Sequence, residues 1–184
     1  MEPLHYALVA YVHAPVGEFV ERLRHELHPE LPHLPAHITV LPPRLLHGSE
    51  AEAVASVEAV CRNASPFEVV MGEVETFVPV TPTVFLRVAH AAYRLRELHD
   101  QLNRDVLGCE EEWPYMPHLT IVKMGNDAQA KSAFAMAAER WTSFKGSRTL
   151  LVEKLTFVRE TAGNMWQDLA PVPLGGNLVV KAVH

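Results

Sequence analysis

Two short stretches of the chain pair an imidazole with a hydroxyl: Pro35-Ala36-His37-Ile38-Thr39-Val40 and Pro117-His118-Leu119-Thr120-Ile121-Val122. In an extended strand, residues two apart project from the same face. His37 and Thr39 should therefore point together, as should His118 and Thr120, while Ile38, Val40, Leu119 and Ile121 turn to a core. Imidazoles titrate near neutrality, so one can take a proton while another gives one. Threonine hydroxyls can donate to an oxygen on which charge gathers during reaction. Two such strands facing one cleft would suit general acid/base catalysis, with no metal and no cofactor required.

The pairing matters more than either copy. The chain has 11 His in 184 residues, and a bare His-x-Ser/Thr is expected about once by chance. Apolar residues at the second and fourth places reduce that to roughly 0.2, so two matches carry weight. His47-Gly48-Ser49 is the chance kind, without apolar partners or strand-like surroundings.

Around the motifs the sequence predicts a regular order of elements. Leu4 to Val12 reads as a buried strand, and Gly17 to His28 as a helix with Phe19, Val20, Leu23 and Leu27 on one side. Pro29, Pro32 and Pro35 lead into the first motif strand, which Pro42-Pro43 should end, leaving Arg44 just beyond. Ser49, with Glu52 three residues on, forms a capping box for a helix to about Asn63. Strands follow over Pro66 to Val78 and Thr83 to Val88, then a helix over Ala91 to Leu107 stopped by Gly108, with Val106 on its apolar stripe. After the second motif come a helix from Asn126 or Asp127 to about Trp141 and strands over Arg148 to Arg159 and Trp166 to Leu174. Asn177 to Val183 reads as a last strand or a tail. The halves echo each other, with motifs too far apart for a tandem array but suited to two related, facing lobes.

Composition sets the limits. A formal charge of −6 offers no global basic field, so any RNA contact must be local. Cys61 and Cys109 are too few for a disulfide framework and lack metal-ligand spacing, as in a reducing cytosol. Tyr6 to Val12 is too short to span a membrane and lacks the basic region and cleavage site of a signal peptide. The chain is thus expected to be cytoplasmic, without a membrane or an obligate protein partner. His25, His28, His33 and His37 raise a metal reading, yet no His-Glu-x-x-His and no cysteine supports it, and solvated polar histidines are the plainer reading.

With both His-apolar-Thr-apolar motifs intact, the chain resembles the 2H phosphoesterase superfamily, in its bacterial 2′-5′ RNA ligase-like (LigT-like) branch. The likeness extends in element order from Tyr6 to about Leu174. It implies an α+β bilobal fold with a pseudo-two-fold axis, two antiparallel sheets lining a central cleft, and helices outside. Residues 1–184 would form a single domain of two intertwined lobes, with motif one near 37–40 and motif two near 118–121. It implies metal-independent chemistry on 2′,3′-cyclic phosphates or 2′-5′ linkages, with an RNA terminus or small nucleotide as partner. The catalytic candidates are His37, Thr39, His118 and Thr120. Basic residues commonly follow the family motifs, which points to Lys123 and Arg44 as phosphate contacts. Phe85, Tyr115 and Trp113 are candidates for stacking on a base, against core packing as the default for Phe85. Arg87 and Arg159 read as surface charges. Family analogy favours His37 as acid and His118 as base in hydrolysis; the residues alone leave both assignments open. A 2′-5′ RNA ligase, or a non-catalytic binding module on the same fold, are the alternative readings.

Overall fold

The computed structural model describes residues 4–162 and 165–175. Its strands are β1 (Tyr6–Tyr11), β2 (His37–Arg44), β3 (Phe67–Thr76), β4 (Thr83–His90), β5 (His118–Lys123), β6 (Thr149–Val152), β7 (Lys154–Thr161) and β8 (Met165–Pro173). The helices are α1 (Val16–Leu27), α2 (Glu50–Arg62), α3 (Ala92–Leu102) and α4 (Asp127–Thr142), with a 3₁₀ turn at Asp105–Leu107. The reading at Asn177 to Val183 lies outside the described residues.

The strands form one sheet in the order β6-β3-β4-β5-β2-β1-β7-β8, with each neighbouring pair antiparallel. The two expected sheets are its two four-stranded halves, joined where the motif strands β2 and β5 meet through Ile38 and Leu119. Each half repeats a strand–helix–motif strand–helix run, and the helices cross over: α1 packs on β5, and α3 on β2. Only Glu153 separates β6 from β7, although these strands belong to opposite ends of the sheet. The sheet must therefore curl until its ends approach. The single strand expected over Arg148 to Arg159 is split at that point.

Alternation places the core. Ile38, Val40, Leu119 and Ile121 are fully buried with Leu8, Leu86, Val57, Leu95 and Trp141 beneath the helices. A small satellite of Ala7, Val9 and Val158 lies apart from that cluster. Gly17 begins α1 so close to β1 that a Cβ there would sit 2.0 Å from the Val12 carbonyl oxygen. The capping box of Ser49 and Glu52 is present, and Asn126 caps α4 through the Gln129 amide.

Two boundaries differ from the sequence reading. The third helix ends at Leu102 because Asn103 turns its side chain to the loop, accepting from the Cys109 amide and donating to the Cys109 carbonyl. Asp105 then takes a left-handed φ of 49°. The first motif strand runs through Pro42-Pro43 to Arg44 instead of stopping there. Its ladder with β1 is irregular on both sides of Leu8–Leu41, and such bulges excuse the amides that proline lacks.

Leu119 faces Ile38 on one side and Leu86 on the other, with no exposed surface. Leu119→Ala should cost about 2–5 kcal/mol of unfolding free energy. Urea denaturation would check this; a loss below about 1 kcal/mol would mean that the junction of the two halves does not depend on this packing.

Candidate active site

The register gathers the four motif residues. Ile38 opposite Leu119 in antiparallel strands sets His37 on the side of Thr120 and Thr39 on the side of His118. Since Ile38 and Leu119 face the core, all four motif side chains share the other face, half-buried. In a regular ladder, diagonal neighbours of this kind lie about 7–8 Å apart; here the ladder is the single Ile38–Leu119 pair.

The histidines are held alike. His37 Nδ1 lies 2.8 Å from the Pro35 carbonyl oxygen, and His118 Nδ1 lies 2.8 Å from the Met116 carbonyl oxygen. A carbonyl only accepts, so each Nδ1 carries a hydrogen and donates it. Each Nε2 is then the ring nitrogen able to accept a proton. Burial pushes both imidazoles below the ordinary histidine value, opposed in each by that carbonyl bond; Arg24 and His118 lower His37 further through their charge.

Each motif strand carries a bulge directly after its threonine. In β5, Phe85 pairs with Thr120 but Val84 with Val122, so Ile121 and Val122 both turn to the core. That extra residue brings Lys123, opposite Thr83 and exposed, back to the face of Thr120. In β2, Val9 pairs with Thr39 but Leu8 with Leu41, so Val40 and Leu41 both turn inward and Pro42 takes the place that Lys123 holds in β5.

Arg44 and Tyr115 are placed elsewhere. A further shift in β2 pairs Arg44 with Tyr6, on the core side. Arg44 is 3% exposed, and its guanidinium donates to the carbonyls of Pro42 and Leu107, to Asn103 and to Glu111. Four protein partners leave it built into the fold, away from the motif face. Tyr115 stacks on His99 with ring centres 4.2 Å apart and donates its hydroxyl to the Thr39 carbonyl at 2.8 Å. It braces the first motif strand instead of offering a ring to the cleft. Trp113 is exposed on the preceding loop.

Phe85 lies on the motif face opposite Thr120, 2% exposed, stacked on Phe77 at 4.1 Å and 5.1 Å from the His118 ring. Register also brings in residues that the sequence did not single out. Arg87, read as a surface charge, pairs with His118 across β4 and β5 and forms an exposed ion pair with Glu75 at 3.6 Å. Tyr11 pairs with His37 across β1 and β2, meets its ring edge-on, and donates its hydroxyl to Asp168. Tyr11, Val9, Val158 and Trp166 line an apolar pocket of about 120 Å³ against His37 and Thr39. It adjoins a wider groove of about 750 Å³ bounded by Trp166, Asp168, Glu18 and residues 34–36. No local sequence signal marks these residues; only the pairing of strands distant in the chain reveals them.

His25, His28 and His33 line a separate cavity of about 260 Å³ at the end of α1, where His33 faces Glu21 at 3.5 Å. Among the described residues, no group of three or more His, Cys, Asp or Glu is arranged to hold a metal ion. Nor, among them, is any helix long and apolar enough to cross a membrane.

The sequence pattern of the 2′-5′ RNA ligase superfamily matches residues 12–164, most of the chain. The chain belongs to that superfamily, the 2H phosphoesterases. A Halalkalibacterium halodurans protein that carries the name of a phosphoesterase is 28% identical over 120 residues, 64% of this chain and 69% of that one. A similarly named Oceanobacillus iheyensis protein is 25% identical over 124 residues, 64% of this chain and 69% of its own. Among solved structures, Escherichia coli LigT complexed with phosphate aligns over 95% of this chain and 99% of its own, with a TM-score of 0.61 and 15% identity. LigT complexed with 3′-AMP gives 0.63 at 14% identity, covering 94% of this chain and 99% of that one. At such identities these structures establish the 2H phosphoesterase fold.

The burial of Arg44 generates a test. Arg44→Met should lower unfolding free energy by about 3–5 kcal/mol, because it removes the buried cation bound to Glu111 and to two carbonyls and leaves Glu111 with His99 alone. Inorganic phosphate should bind the folded variant as it binds wild type, by calorimetry. Unchanged stability with lost phosphate affinity would return Arg44 to the substrate.

Proposed function

We propose that this chain is a metal-independent phosphodiesterase that opens 2′,3′-cyclic phosphates, or related cyclic phosphates, on RNA ends or nucleotides. The observation that carries the reading is the matched pair of imidazoles, each donating Nδ1–H to a carbonyl two residues earlier and each presenting Nε2 on the shared face. One Nε2 takes a proton from water as its oxygen attacks phosphorus. The P–O bond to one ribose oxygen breaks, and the other imidazole gives its proton to that leaving oxygen. The product is a 2′- or 3′-monophosphate, and the two histidines have exchanged protonation states.

Thr39 and Thr120 donate to the non-bridging oxygens, and Lys123 adds positive charge from the same face. The apolar pocket of Tyr11, Val9, Val158 and Trp166 takes the nucleoside on the His37 side. Phe85 holds the His118 ring from the other side. In this reading residues 1–184 act as one domain, with one motif from each of two intertwined halves, and the substrate is an RNA terminus or a small nucleotide.

The deciding experiment is hydrolysis of 2′,3′-cyclic nucleotides and of a short RNA with a cyclic end, in EDTA. His37→Ala and His118→Ala should each lower turnover by on the order of 10²–10⁴-fold. Folded variants that keep wild-type turnover would exclude acid/base catalysis by this pair. Joining of RNA ends without hydrolysis would identify a 2′-5′ ligase, and phosphate binding without turnover a binding module.

The pH profile is fixed in sign by burial. The base must be neutral, so kcat/KM rises as pH climbs through its lowered pKa; the acid must be protonated, so kcat/KM falls through the other. Because the two interact, both limbs belong to the pair. The optimum of kcat/KM should lie below 6.5, the ordinary histidine value. In the kcat profile it should move upward, since a bound phosphate anion favours imidazolium. An optimum of kcat/KM above neutrality would contradict this account.

A further inference from the structure

Arg24 lies near the end of α1 and is 9% exposed. Its Nε donates to the Ile121 carbonyl at 2.7 Å, its Nη2 to the Thr120 carbonyl at 3.0 Å, and its Nη1 to the Leu34 carbonyl. These acceptors belong to the two segments that carry the motifs: the run into His37 and the strand that follows His118. Between β2 and β5 the ladder consists of the Ile38–Leu119 pair. One step further it would set His37 against Thr120; there the Thr120 and Ile121 carbonyls turn to Arg24 instead.

We propose that Arg24 is a positioning residue, whose guanidinium spans the opening between the two motif strands and sets the distance between the two imidazoles. The proposal rests on the two-histidine reading of the site. A planar group with donors on three nitrogens is what this span requires; a lysine ammonium carries the same charge but cannot reach three carbonyls in fixed directions. The charge matters as well. Arg24 sits among carbonyl dipoles, with Glu21 one turn earlier as the carboxylate it feels, and it disfavours a second positive charge on His37. The titratable and charged groups facing His37 are Arg24 from α1, His118 from β5, and Tyr11 from β1, whose hydroxyl is bound to Asp168 of β8. Burial raises Tyr11 further above its ordinary value, so Arg24 and His118 remain the charged groups that act on His37, after its burial and its bond to the Pro35 carbonyl.

Arg24→Lys and Arg24→Met separate span from charge. Both are first checked for folding by circular dichroism and denaturation. Arg24→Lys should lower kcat/KM by on the order of 10²-fold, the effect of misplacing catalytic groups by about 1 Å, while the limbs of the pH profile stay in place. Arg24→Met should lose at least as much and move the profile of the pair to higher pH, because removing a nearby positive charge makes imidazolium easier to form on His37. Folded variants with wild-type kcat/KM and an unmoved profile would overturn the proposal.

A parallel measurement does not need turnover. In wild type, inorganic phosphate should shift the imidazole NMR signals of His37 and His118 together at one concentration. In Arg24→Lys the two responses should separate or weaken, and an unchanged joint response would overturn the positioning role. Wild type that binds phosphate between both histidines but hydrolyses no cyclic substrate would sink the proposed activity and leave Arg24 to be decided by this titration.

Discussion

The site depends on how little joins its two halves. The ladder between β2 and β5 is one residue pair, Ile38 and Leu119, and every motif side chain hangs from those two strands. What makes so slight a ladder firm is the apolar face beneath it. Ile38, Val40, Leu41, Leu119, Ile121 and Val122 are all buried in the main core, and each aliphatic side chain fully removed from water contributes about 1.5–3 kcal/mol. Side chains on the motif face follow from that anchoring: with Ile38 and Leu119 pinned, the pleat gives His37, Thr39, His118 and Thr120 one direction.

The carbonyls of the two motif threonines show the same economy. The Thr39 carbonyl receives the hydroxyl of Tyr115, from the loop that leads to the second motif. The Thr120 carbonyl receives Arg24, from the helix that leads to the first. Each motif strand is thus held by a side chain from the opposite half, which continues in side-chain bonds the crossing of α1 onto β5 and α3 onto β2. Arg44 extends this scaffold around β2 by tying the end of the strand to Asn103, Leu107 and Glu111.

What could be read in the sequence was what local chemistry decides. Period-two alternation located both motif strands and their buried neighbours, and the caps at Ser49 and Asn126 follow from side chains three residues from their targets. The pattern was silent wherever a partner distant in the chain decides. Lys123 reaches the motif face, and Arg44 does not, because of bulges defined by β4 and β1. The helix predicted through Val106 ends early because Asn103 prefers Cys109, and the strand predicted from Arg148 divides at Glu153 because its halves pair with β3 and β1. Arg87, Tyr11 and Trp166 carry no motif at all. The fold itself outlasts sequence, with LigT aligned over 95% of the chain at 15% identity, and chemistry has to be argued from the residues that line the cleft.

The matched bulges after Thr39 and Thr120 have a consequence for direction. They make the inner ring of the site nearly interchangeable under a half-turn: imidazole for imidazole, hydroxyl for hydroxyl, two inward residues for two. The ribose cyclic phosphate proposed as substrate has no such symmetry, so the inner ring cannot by itself tell one scissile oxygen from the other. That polarity has to come from the next ring out, where the halves disagree: Tyr11 beside His37 but Arg87 beside His118, Val9 against Phe85, and Pro42 where the other strand has Lys123. In the proposed reaction the choice of scissile oxygen therefore falls to the flanking strands and not to the four central residues.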